Sequence, residues 1–85
     1  MTPDEARSLG RAIRATRLER GLSQLRLAVV IGVSGGQLGL WERGRAPAAR
    51  GREAYAPTIP RGQLEAIAAA LDCTVAAIEI GRAHV

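Results

Sequence analysis

The stretch GLSQLRLAVVIGVSGGQLGLWERGR, residues 21–45, decides how this chain folds. Ser23 is the kind of residue whose hydroxyl closes the free N–H groups at a helix start. The spacing after it predicts a short helix over 24–31, with Leu27, Ala28 and Ile31 on one face and Gly32 ending the run. Ser34 then caps a helix over 35–43, with Leu38 and Trp41 three apart on its inner face and Gly44 at its end. Two short helices separated by Gly32, Val33 and Ser34 make a helix-turn-helix over 23–43. Gly32 lets the chain reverse, Ala28 is small where the helices cross, and Val33 plugs the turn. These residues build the fold and touch no ligand.

Upstream, Thr2, Pro3, Asp4 and Glu5 read as a capped helix start, and the helix should reach about Arg20 before Gly21 ends it. Its buried stripe is narrow: Ala6, Leu9, Ile13 and Thr16, with Arg7, Arg11, Arg14 and Arg20 mostly outside. Downstream, Pro60 opens a fourth helix to Leu71 with Leu64, Ile67, Ala68 and Leu71 at helical spacing. Asp72 and Cys73 break it, Thr74 caps a short fifth helix over 75–80, and residues 81–85 read as a frayed tail. A long loop, 44–59, lies between the third and fourth helices. The expectation is one all-α domain over 1–80, five short helices around a compact aliphatic core.

Composition bounds the function. Eighty-five residues leave room for one small core and exclude a multidomain enzyme with a large buried site. With one Trp, one Tyr and no Phe, the core must come from Leu, Ile, Val and Ala. The net charge is +4 and all twelve cations are Arg, so polyanions are the natural partners. GC-rich codon usage would also favour Arg, and the missing Lys therefore decides little. Cys73 has no second cysteine to pair with, and beside His84 alone it makes no metal-ligand set, so no cofactor is expected. No nucleophile and base pair or phosphate-binding glycine loop is present, and an enzyme is not expected. No window approaches eighteen apolar residues and the N-terminus lacks a signal-peptide pattern, so a cytoplasmic chain that engages no membrane is expected.

The chain resembles the helix-turn-helix family of phage repressors, Cro proteins and their bacterial relatives. The likeness rests on Arg17, then Gly21 to Gln24, Leu27 and Ala28, Ile31 to Ser34, Trp41 to Arg45, and finally Pro60, Leu64, Ile67, Ala68 and Leu71. It covers residues 9 to 80 and implies a lambda-repressor-like fold. It also implies a double-stranded DNA-binding transcriptional regulator, a phage or prophage Cro-like repressor or a small host regulator. By the same resemblance Gln24, beside the cap Ser23, hydrogen-bonds a phosphate, helped by free N–H groups at that helix start. Arg43 and Arg45 clamp phosphates beyond the third helix, and Arg17 and Glu42 form a structural ion pair between the first and third helices. The plainer readings, Gln24, Arg43 and Arg45 as solvated side chains and Arg17 and Glu42 as two exposed, unlinked charges, stand beside these.

The third helix would be the recognition helix, entering the major groove with its first residues on base edges. Those residues, after Ser34, are Gly35 and Gly36, which carry no side chain and with Gly39 each cost the helix roughly 1 kcal/mol relative to Ala. Direct readout falls to Gln37, which can bond adenine, and to Leu40, which can pack on a thymine methyl. Three readings of the glycines stay open: close approach of backbone to DNA, a helix that orders on binding, or a surface that no longer reads bases. The loop is similarly open. Arg50 or Arg52 would track a phosphate strand or a narrow minor groove with Tyr55 as anchor, or the loop is a solvated segment. A homodimer on a pseudo-palindromic operator is expected, with the fifth helix, through Val75, Ile78 and Ile80, as its interface. Two other classes compete: an antitoxin-type autoregulator that also binds a toxin, and a protein-interaction module that kept the fold.

Overall fold

The computed structural model describes residues 3–44 and 58–83. Five helices follow one another among the described residues: α1 (Pro3–Glu19), α2 (Gln24–Ile31), α3 (Gly35–Arg43), α4 (Arg61–Ala70) and α5 (Val75–Ala83). Helix α1 packs against both α3 and α5, α2 sits on α3 and α4, and α4 leans on α5. The expected cap at Thr2, the tail from His84, Tyr55 and most of the loop lie outside the described residues.

The helix ends are set by the residue types that the sequence places there. The Ser23 Oγ accepts from the Arg26 N–H at 3.0 Å, and the Ser34 Oγ accepts from the Gln37 N–H at 3.0 Å. Between them Gly32 adopts φ 76°, a left-handed conformation that a side chain would resist, and the Val33 N–H returns to the Ala28 carbonyl at 3.0 Å. This closes the turn and fixes the angle between α2 and α3. Downstream, Asp72 adopts φ 55°, the Cys73 N–H reaches the Ala68 carbonyl at 2.9 Å, and the Thr74 Oγ1 accepts from the Ala77 N–H at 3.0 Å. Helix α5 continues to Ala83, three residues past the end expected at Ile80, because Gly81 does not interrupt the backbone ladder.

The core is aliphatic with one Trp. Leu9, Ile13, Leu27, Leu38, Ile67, Leu71 and Ile78 are wholly enclosed, and Trp41 lies among them. Ile59, at the end of the expected loop, is also buried in this cluster, so the return of the chain towards α4 is anchored by an apolar side chain. The Arg20 Nε donates to the Leu71 carbonyl at 2.7 Å and so occupies an acceptor that the end of α4 leaves free.

The α1 stripe is wider than expected, adding Gly10, Ala12 and Arg17 to Ala6, Leu9 and Ile13. At Gly10 a Cβ would run into the backbone carbonyl oxygens of Trp41 and Glu42, and at Gly44 one would run into the backbone of Ala6 and Arg7. Helices α1 and α3 therefore touch backbone to backbone at two points. Ile78 is buried in the core, which removes it from the dimer surface expected on α5; Val75 is half-buried against the core, and the side chain of Ile80 lies outside the described residues. The large exposed apolar side chains are instead Leu18, Leu25, Val29 and Val30.

Candidate nucleic-acid interface

Helix α3 is held from three sides, which makes its outer face a fixed platform. Ser34 caps its start, the backbone of α1 meets its C-terminal half at Gly10 and Gly44, and Leu38 and Trp41 sink into the core. The face left outward begins with Gly36 and Gln37, both exposed, beside the half-buried Gly35. A Cβ at Gly35 would come no nearer than 3.9 Å to Leu25, and one at Gly36 no nearer than 4.0 Å to the Ser34 hydroxyl. No packing demand among the described residues therefore accounts for these two glycines.

Gly39 differs. It is buried, and a Cβ there would lie 3.4 Å from both the Arg43 Nη1 and the Gln24 Oε1. Leu40 is half-buried and packs against the core, so only part of its side chain faces outward. The hydroxyls of Ser23 and Ser34 are engaged as caps, each ordering the first turn of its helix.

Beneath this face lies a buried network. The Arg17 Nε donates to the Glu42 Oε2 at 2.7 Å and its Nη2 to the Oε1 at 3.0 Å, while its Nη1 donates to the Leu22 carbonyl at 2.9 Å. Arg17 is 6% and Glu42 5% exposed, so this bidentate pair works in a dry environment where geometry decides whether attraction offsets desolvation. The pair ties α1 to α3, and the Leu22 carbonyl adds the segment before α2. The Gln24 Nε2 donates to the same Glu42 Oε1 at 3.2 Å, so in the free protein Gln24 braces the ion pair.

Arg43 is exposed at the end of α3, while Arg45, Arg50 and Arg52 lie outside the described residues. Two features that sequence reasoning missed, Gly10 and the bond from Gln24 to Glu42, join residues far apart in the chain. Neither carries a local signal.

Among the described residues there is no group of three His, Cys, Asp or Glu side chains able to hold a metal ion. Burial pushes the Cys73 thiol pKa up, against the pull of the Arg20 guanidinium, which disfavours a reactive thiolate at neutral pH. No described helix is long and apolar enough to cross a membrane.

Comparison with known proteins agrees with this geometry. Residues 13–50 match the helix-turn-helix family model. Two crystal structures of the clp gene regulator ClgR from Corynebacterium glutamicum align with 94% of this chain at 29% identity and a TM-score of 0.76. The chain covers 73% of one and 88% of the other. No curated protein sequence matches it.

Proposed function

We propose that this chain, which carries a helix-turn-helix domain related to those of repressor and Cro regulators and resembles ClgR, is a sequence-specific double-stranded DNA-binding transcriptional regulator. The observation that carries this reading is the outward first turn of α3. It is capped by Ser34, buttressed by α1, and bare at Gly35 and Gly36, with Gln37 exposed beside them. Such a turn enters the major groove with backbone close to the base edges, Gln37 reading adenine and Leu40 offering its outer methyls to thymine. Arg43 and, beyond the described residues, Arg45, Arg50 and Arg52 hold phosphates, which position the helix without specifying sequence. Gln24 reaches a phosphate by exchanging its bond to Glu42 for one to DNA.

One α3 offers few base contacts, and two-fold symmetry doubles them. The functional unit is thus a homodimer on a pseudo-palindromic site with half-site centres about 34 Å apart. A second reading, a toxin-binding autoregulator or another protein-interaction module, has one observation in its favour: Leu25, Val29 and Val30 are all exposed on α2.

The test is a titration of the protein with duplexes from the region flanking its own gene, at several salt concentrations. The expected result is tight binding to one site, with log K falling steeply against log salt. Binding that is absent, or insensitive to salt, refutes the DNA reading.

A further inference from the structure

Helix α1 meets the start of α2 and the second half of α3 at a cleft of about 470 Å3 whose wall carries Arg11, Arg14, Arg17 and Arg43. Four guanidinium groups line it against one carboxylate, Glu42. That carboxylate is already taken: both its oxygens accept from Arg17, whose third nitrogen donates to the Leu22 carbonyl. Arg17 and Glu42 therefore cancel, and Arg17 has little left to offer a ligand.

Arg11, Arg14 and Arg43 are exposed and have no ion-pair or hydrogen-bond partner among the described residues. Arg7 on the same helix pairs with Asp4, and Arg61 pairs with Glu65 and Glu79. Arg11 and Arg14 are three apart on a helix, where like charges repel. Their placement around one cleft with Arg43 is unfavourable in the free protein and becomes favourable when an anion sits between them. At Gly39 the missing side chain leaves room where the Arg43 Nη1 and the Gln24 Oε1 converge.

We infer that this cleft is an anion site for a phosphate group, held by Arg11 and Arg14 of α1 together with Arg43 of α3, and that the phosphate it takes is one of the duplex backbone. The source rests on the DNA reading above. The chemistry does not: guanidinium forks match phosphate oxygens in pairs, and three unpartnered forks around one hollow suit an anion with several acceptors. The cleft adjoins the helix proposed to enter the groove, so a duplex seated on α3 brings its backbone past α1. Arg11 and Arg14 thereby add contacts on the α1 side to the one that Arg43 makes from the end of α3.

The test compares wild type, the double variant R11Q/R14Q and the control R7Q, which removes one charge from the same helix outside the cleft. Melting by circular dichroism verifies that each is folded. Affinity for a fluorescent duplex of about 20 base pairs is measured against salt, and binding of inorganic pyrophosphate is measured by calorimetry. Loss of one phosphate contact should lower the salt slope by about one unit and weaken binding roughly tenfold, equally on specific and random duplexes. R7Q should keep the wild-type slope, and pyrophosphate should bind wild type but not the double variant. A double variant whose slope matches that of R7Q overturns the duplex phosphate contact. A wild-type protein that ignores duplexes but binds pyrophosphate through Arg11 and Arg14 removes the DNA reading while keeping the anion site. Wild type that binds neither overturns both.

Discussion

Glu42 accepts three hydrogen bonds in a buried position, and its loss would strand the Arg17 charge between α1 and α3. Glu42→Ala should cost about 3–5 kcal/mol in urea unfolding, whereas replacing both partners, as in R17M/E42L, should cost far less because no buried charge remains. Equal losses for the two variants would show that the pair acts through packing alone. The pairing was legible only through family resemblance, since the residues stand 25 apart and no local pattern links them. Gly10 was not legible at all. Helix propensity favours Ala there by about 1 kcal/mol, but a Cβ would strike the Trp41 and Glu42 carbonyls, so Gly10→Ala should destabilise by about 1–3 kcal/mol net. Gly35 and Gly36 stand in open space and should respond in the opposite direction. Their double Ala variant should gain about 0.4–1 kcal/mol per site yet bind DNA more weakly, because two methyl groups hold α3 off the bases. Unchanged affinity on that variant would sink the close-approach account.

At the scale of the elements, the helix-turn-helix was the most readable part of the chain. Ser23, Gly32, Ser34 and Gly44 are local signals, and each terminates or caps the helix it was expected to. Ser34→Ala removes the acceptor for the Gln37 N–H and should cost about 1 kcal/mol, with DNA binding weakened further as the first turn of α3 frays. Thermal melting and duplex affinity measured on that one variant would show it; a stability loss with full affinity would mean that the first turn does not meet DNA. Helix α5 was harder to read. Of its apolar residues Val75, Ile78 and Ile80, the sequence did not say which would be buried, and it is the packing of α1 along the helix that puts Ile78 in the core. Ile59 was missed for the same reason, since burial at a loop end depends on what the fold places over it.

Among the described residues, the unpartnered arginines of α1 and α3 line one cleft, most of the large exposed apolar residues lie on α2, and exposed Leu18 stands beside Arg11 and Arg14 on α1. Composition foretold a polyanion partner but could not distribute the arginines, because only the packing of α1 on α3 brings Arg11 and Arg14 to the side of Arg43. With Ile78 in the core, dimer contacts on DNA cannot use that side chain, and sedimentation with an operator-length duplex should still show two protomers per site. The most direct test of the central claim is amide chemical-shift mapping of the labelled protein as a duplex from its own flanking DNA is added. Binding through the helix-turn-helix predicts the largest shifts at Ser34, Gly35, Gly36 and Gln37, with Gln24 next and α4 nearly silent. Shifts concentrated on α4 and α5, with the first turn of α3 unmoved, would contradict it.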